Sequence, residues 1–398
     1  MKLSHGIHLA YCTNIHRGEN WRETLGALEH YTLAVRERVC ANEPYAIGLR
    51  LSDRASRELS EPAALLVFQR WLDQHQCYIF TINGFPYGRF HGRRVKEQVY
   101  APDWTTNERV VYTNRLFDLL AQLLPGGVEG SVSTVPCSFK EFVKTDEQAR
   151  QMRHNLWRCV EHIAAVSQRS GKKLHLGLEP EPLCYLETSE EVVGFFGEMR
   201  ADRPDDPRVD EHLGVNYDTC HLAVEFEAPH DVVRRFQQHR VKISKLHFSS
   251  ALKVHPGPEA RGALKAFADD IYFHQVIART ADGALTRYKD LDVALASPSP
   301  MADDQSPIAH RPSEEWRIHF HIPLHCQPTP LFGTTSDHIL GVMDMLKSSP
   351  GLCQHIELET YTWEVLPPEL KNRDVVDQLV AEYQWTLDHL ADRGIAAV

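Results

Sequence analysis

The chain has 398 residues, 42% of them hydrophobic, with a formal net charge of −11 and nine cysteines scattered singly. That is enough apolar material for one large core or two domains. The acidic balance argues against a nucleic-acid partner, which wants a basic face, and no apolar run approaches the roughly 20 residues of a membrane span. The start, MKLSHGIHLAYC, lacks a signal-peptide pattern, and no CxxC pair occurs. Reduced thiols in a cytoplasmic protein without direct membrane insertion are therefore expected.

Short β-rich segments alternate with longer stretches of helical apolar spacing. GIHLAYC (6–12) precedes WRETLGALEHYTLAVRERV, YAIGLRL (45–51) precedes PAALLVFQRWLDQH, and CYIFTIN (77–83) precedes NERVVYTNRLFDLLAQLL. GSVSTVP (130–136) precedes EQARQMRHNLWRCVEHIAAVSQRSG, and LHLGLE (174–179) precedes SEEVVGFFGEMR. LGVNYD (213–218) and KISKLHF (242–248) follow, then HIELET (355–360) and a last helix, VVDQLVAEYQWTLDHLADRG. Eight alternations predict an α/β fold, a (β/α)8 TIM barrel, as one domain over residues 1–398.

The main irregularity is an insertion between the seventh and eighth strands, residues 252–315, which ends in the Pro/Ser/Asp-rich SPSPMADDQSPIAHRPSEE. It is expected to be a partly flexible lid. At its end, RIHFHIPLH (317–325) alternates as a strand with His319, His321 and His325 on one face. It predicts an extra strand near the barrel mouth.

Catalytic residues of such barrels sit at the C-terminal ends of the strands. Here the fifth strand ends in LGLEPEP, with Glu179 and Glu181, and the sixth in VNYDTCH, with Asp218 and His221. The seventh carries His247, and the eighth ends HIELETYTW, with Glu357 and Glu359 on one face. Singly each has a plain structural reading; Asp218, for one, could be a helix N-cap. Together they would converge at the barrel axis, where three carboxylates cannot all stay ionised without a cation. Oxygen and nitrogen ligands without a thiolate admit Mn²⁺, Co²⁺, Mg²⁺, Fe²⁺ or Zn²⁺.

Strand-end Glu, then Asp-x-x-His, then His, then Glu resembles the xylose-isomerase-like barrel superfamily, which includes sugar isomerases, ketose epimerases and endonuclease IV. The resemblance implies Glu179, Asp218, His247 and Glu359 as metal ligands, with His221 nearby. His319 and His321 resemble the later Asp-x-His ligand pair of endonuclease IV, with His in place of Asp, so one to three ions are expected. More narrowly, HLAYCTNIHRGENW, IGLRLS, FTINGFPYGRFHG, VYAPDW, STVPCSFK and WRIHFHIP resemble the EboE family of metabolite traffic proteins. That label, which comes from secondary metabolism gene clusters, implies pathway partner proteins but names no reaction.

The leading expectation is a metal-dependent isomerase or epimerase acting on a small polyol or cyclitol through an enediolate. Glu179 and Glu359 are the candidate bases, His221 a proton relay, and Asn83, His91, Glu181, Glu357 and Trp363 the expected substrate contacts. The alternatives are a metal-dependent hydrolase of a small phosphorylated metabolite and a non-catalytic metabolite-binding protein. Neither GxGxxG after a strand, nor GxxxxGK[ST], nor GxSxG occurs, so dinucleotide, P-loop and serine-hydrolase chemistry are not expected.

Overall fold

A computed structural model of the chain describes residues 1–88, 96–267, 273–297, 314–360 and 374–398. Eight strands form the central sheet: β1 (His8–Tyr11), β2 (Tyr45–Arg50), β3 (Cys77–Asn83), β4 (Gly130–Thr134), β5 (Leu174–Leu178), β6 (Leu213–Asp218), β7 (Lys242–Phe248) and β13 (His355–Leu358). They lie parallel in the order β1-β13-β7-β6-β5-β4-β3-β2, and a bridge from Cys12 to Gly48 brings β1 to β2. The result is a nearly closed barrel. Its strands are buried almost throughout, because helices cover the outside and side chains fill the inside.

The eight predicted strand segments all appear, and so do the helices between them. Asp146–Ser170 begins with a capping box, Thr145 with Gln148, and ends at Gly171, whose φ of 67° is the left-handed conformation that stops a helix. Ser189–Asp202 begins with a second capping box, Thr188 with Glu191. Helices Asp53–Leu59, Thr219–Val224, Pro229–Gln238 and Ser336–Ser348 are additional to those predicted. Asp53–Leu59 and Thr219–Val224 are too short to show an apolar period, whereas Pro229–Gln238 and Ser336–Ser348 carry one, in Val232, Val233 and Phe236 and in Ile339, Val342, Met343 and Leu346, that went unread.

Between β7 and β13 the chain builds a second, antiparallel sheet. It contains β8 (Ser250–Val254), β9 (Val276–Arg279), β10 (Leu285–Tyr288), β11 (Glu315–Ile322) and β12 (Phe332–Thr334), in the order β10-β9-β11-β8-β12. The stretch read as a lid thus supplies β8, β9, β10 and the helices Pro258–Leu264 and Leu291–Ala296. The Pro/Ser/Asp-rich part lies largely at 298–313, outside the described residues. RIHFHIPLH is a strand as far as Ile322; Pro323 follows, and His325 lies beyond the strand.

β11 is held over the short helix Thr219–Val224 that follows β6. The Arg317 guanidinium donates to the Ala223 carbonyl (2.6 Å), and the Cys220 thiol donates to the Phe320 carbonyl (3.3 Å). No helix among the described residues is long and apolar enough to cross a membrane.

Candidate metal centre and its cavity

Glu179 follows β5, Asp218 ends β6, His247 lies near the end of β7, and Glu359 follows β13. All four are buried, and one ligand atom from each lies within 4.8 Å of the other three. His247 Nδ1 is 2.9 Å from Glu359 Oε2, 3.2 Å from Glu179 Oε1 and 3.7 Å from Asp218 Oδ2. Three carboxylates therefore share one imidazole nitrogen. Burial pushes the Glu359 carboxyl up to about 7, in spite of His247. Burial also opposes ionisation of Glu179 and Asp218, but the neighbouring histidines outweigh it and hold both below the usual carboxylate range. His247 is driven well above its ordinary value: burial disfavours its charge, but Glu359 and Glu179 more than offset that.

One nitrogen cannot satisfy every carboxylate oxygen that faces it. Glu179 Oε2 and Asp218 Oδ2 are buried without a hydrogen-bond partner, a condition that costs roughly 1–3 kcal/mol per group, more when charged. A divalent cation fits this donor set of three carboxylates and one imidazole, since it neutralises the charge and uses the orphaned oxygens. Asp218 has the N-cap role as well. Its Oδ1 accepts from the His221 backbone N–H (3.0 Å) and the Ser249 hydroxyl (2.6 Å), which leaves Oδ2 for the centre.

Glu357, expected at the substrate, sits instead behind His247. Its Oε2 lies 2.9 Å from His247 Nε2 and accepts from Lys245 Nζ at 2.5 Å; Lys245 also donates to the Ser133 hydroxyl (2.9 Å). Burial disfavours ionisation of Glu357, yet Lys245 and His247 hold its carboxyl at about 2. An ionised Glu357 requires a proton on Nε2, so Nδ1 is the nitrogen that can ligate. Lys245 was not singled out from the sequence. The available signal was its spacing two residues before His247, on the same strand face. Gly48 makes room for this group: a Cβ there would stand 1.9 Å from Glu357 Oε1.

A second cluster lies beside the tetrad. His221 Nε2 is 3.1 Å from His319 Nε2 and 3.4 Å from His321 Nε2, and the His319 and His321 Nε2 atoms are 3.1 Å apart. Burial and the neighbouring histidines depress His319 well below its ordinary value, and burial lowers His321 to about 4. His221 is raised; burial opposes this, but Asp218 and Glu181 outweigh it.

The cavity above both clusters is lined on its polar side by Asn14, Asn83, Glu179, Glu181, His221, His319 and Glu359. Its apolar side is Phe85, Pro86, Val99, Tyr100 and Phe273, and Lys96 lines it while paired with Asp290. Asn14 Nδ2 donates to Glu359 Oε1 at 2.5 Å, and Asn83 Nδ2 lies 3.5 Å from the same oxygen. Glu181 Oε1 accepts from the Tyr100 hydroxyl (2.6 Å), and burial raises its carboxyl to about 7. Tyr100, Gln275 and Phe273 were not singled out; Tyr100 lies in VYAPDW, quoted above without a role for it, no motif marks the other two, and the fold brings them here. His91 and Trp363, expected at the substrate, lie outside the described residues.

No family model matches the chain, and no curated protein matches it; the EboE resemblance therefore stays an expectation. Solved structures do match. A D-allulose 3-epimerase from Methylomonas sp. is 12% identical with a TM-score of 0.52, covering 98% of this chain and 100% of its own. An L-ribulose 3-epimerase is 12% identical with a TM-score of 0.51, covering 99% and 96%. A xylose isomerase-like TIM barrel protein from Mycobacterium smegmatis, in complex with magnesium, is 12% identical with a TM-score of 0.50, covering 97% of each chain. The fold of this chain is the xylose-isomerase-like (β/α)8 barrel.

Proposed function

We propose that this protein is a metal-dependent epimerase or isomerase of a small polyol or cyclitol that carries a carbonyl group. The observation that carries the proposal is the placement of two buried carboxylates, Glu179 and Glu359, in the lining of one cavity and in one ligand tetrad. A divalent ion held by Glu179, Asp218, His247 and Glu359 would supply Lewis acidity toward a carbonyl–hydroxyl pair. The names of the fold neighbours, ketose 3-epimerases and a magnesium-bound barrel, agree with this reading.

The chain's own residues have these roles. One of the Glu179 and Glu359 carboxylates takes the proton from the carbon next to the carbonyl, and the other returns one, to the opposite face of that carbon or to its neighbour. Positioned bases of this kind contribute about 10²–10⁴-fold. Asn14 and Asn83 orient Glu359. Glu181 and His221 take substrate hydroxyls, with Tyr100 holding the Glu181 carboxylate in place. Phe85, Pro86, Val99 and Phe273 pack on the carbon skeleton and exclude water.

The test is exchange in D₂O. Protein loaded with Mn²⁺, Co²⁺ or Mg²⁺ is incubated with a panel of ketoses and keto-cyclitols, and deuterium at the carbon next to the carbonyl is read by NMR. Exchange lost in Glu179→Gln and Glu359→Gln is expected. Metal-loaded protein that exchanges nothing in the panel, yet releases phosphate from a small phosphoester, would overturn the reading in favour of hydrolysis. The histidine cluster beside the tetrad is the observation that favours that second reading.

A further inference from the structure

Every backbone carbonyl of residues 84–88, the loop after β3, accepts a hydrogen bond. Arg109 Nη1 donates to Gly84 (2.8 Å) and Phe85 (3.2 Å), and Arg50 Nη2 donates to Pro86 (3.2 Å) and Gly88 (2.8 Å). The Asp53 backbone N–H donates to Tyr87 (2.8 Å). On the donor side, the Gly84 N–H goes to the Ser133 carbonyl (2.9 Å) and the Phe85 N–H to Asn83 Oδ1 (3.0 Å). Pro86 has no N–H to place.

The two guanidiniums are costly to place here. Arg50 ends β2 and is 2% exposed; Arg109, on the helix Asn107–Leu123, is 0% exposed. Among the described residues Arg109 donates to carbonyls alone, the third being Pro102 (2.8 Å), and the rings of Tyr87 and Tyr112 flank it. Arg50 also donates to the Gly18 carbonyl (2.6 Å), beyond β1, and the Glu19 carboxylate is 4.0 Å away. Burying a cation without a close counter-charge is expensive. What the expense achieves is geometric: a planar fork reaches two carbonyls at once, which a lysine ammonium does not reproduce.

Neither arginine is among the described residues that line the cavity, but Phe85 and Pro86 are. The N–H and carbonyl groups of these two residues are all engaged elsewhere, so this wall offers the cavity two hydrocarbon rings and no hydrogen-bond partner. A substrate hydroxyl set against it would lose water and gain nothing. We infer that Arg50 and Arg109 are specificity-determining residues: by holding the polar backbone of the loop away from the cavity, they make a wall that selects a substrate with a deoxygenated carbon facing Phe85 and Pro86. The substrate is then a deoxy ketose or deoxy keto-cyclitol rather than a fully hydroxylated one. The inference rests on the proposed reaction for its substrate class, and on the loop alone for the arginines.

The test uses full-length, metal-loaded protein and three probes: D-fructose, 1-deoxy-D-fructose and 6-deoxy-D-fructose. Wild type, Arg50→Lys, Arg109→Lys and Phe85→Asn are compared, with binding read by calorimetry and exchange in D₂O by NMR. One deoxy sugar should bind wild type about tenfold or more tightly than D-fructose, as expected when a hydroxyl is buried without a partner. That preference should vanish in each variant that keeps the metal affinity of the tetrad, with the change in KM rather than kcat. Phe85→Asn leaves both arginines in place and gives the hydroxyl a partner, so it serves where an arginine variant fails to fold. D-fructose bound as tightly as both deoxy sugars, or no binding of any of the three, would overturn the selectivity. Full preference in folded Arg50→Lys and Arg109→Lys would overturn the role of the arginines. Crystal structures of these two variants need no ligand: displaced residues 84–88 support that role, and an unchanged loop overturns it. If wild type selects a deoxy sugar yet exchanges no deuterium, the proposed reaction fails and this inference stands.

Discussion

His247 and Glu357 form a buried pair, Nε2 to Oε2 at 2.9 Å, on adjacent parallel strands where the two residues are also register partners. The pair sets which ring nitrogen the three strand-end carboxylates see. Glu357→Gln should weaken metal binding at the tetrad roughly 10–100-fold, as loss of an outer partner to a ligating histidine does. Competition with a chromogenic chelator measures this. The same change removes the counter-charge of Lys245, which is fully buried, at a cost of about 3–5 kcal/mol. Lys245→Met/Glu357→Gln should therefore recover most of the stability and none of the affinity.

Gly48 is a steric prediction. A Cβ at this position meets Glu357 Oε1 at 1.9 Å and the Tyr11 carbonyl at 2.7 Å. Backbone and a buried carboxylate can give little, so Gly48→Ala should cost about 1–3 kcal/mol or more through overpacking. The urea midpoint should fall with an unchanged m-value. Gly194, exposed in the helix Ser189–Asp202 with nothing within 4 Å of a built Cβ, is the control. Gly194→Ala should stabilise by about 0.5–1 kcal/mol.

Glu382 gives a pH prediction away from the metal ligands. From the helix Val375–Ala391 its Oε1 accepts from the Thr360 hydroxyl (2.6 Å) and the Leu324 N–H (3.1 Å), tying together the chain after Glu359 and after His321. Burial raises its carboxyl from 4.5 to about 7. The folded state thus binds more protons than the unfolded one between these values, and stability falls as pH rises from about 4.5 to about 7. Glu382→Gln keeps the acceptor and has no charge to bury. It should match wild type near pH 4.5 and exceed it above pH 7, by up to about 3 kcal/mol. Thermal melts at pH 5 and pH 8 check the sign.

Tyr100 bridges Glu181 and Gln275, and through Gln275 it reaches His319. Tyr100→Phe removes the hydroxyl and leaves Glu181 buried with one fewer donor, a loss of about 1–3 kcal/mol. If Glu181 takes a substrate hydroxyl, kcat/KM should fall by roughly tenfold or more, with the folded spectrum unchanged. Steady-state kinetics on the substrate identified by D₂O exchange would measure it. An unchanged kcat/KM would remove Glu181 from the substrate contacts.

The barrel was legible in the sequence because strand and helix periods are local. LGVNYD and KISKLHF each declare a strand within seven residues, and a strand end in this fold has a known direction. Glu179, Asp218, His247 and Glu359 could be listed for that reason. Depth along the barrel axis was not legible. Glu357 and Glu359 share a face, but two residues of strand advance about 6.6 Å, so one reaches the cavity and the other lies a layer below, against His247 and Lys245. The meeting of His221 with His319, 98 positions apart, was decided only by the second sheet. So were Gln275 and Tyr100, whose contacts with the site come from long-range packing that no local spacing encodes.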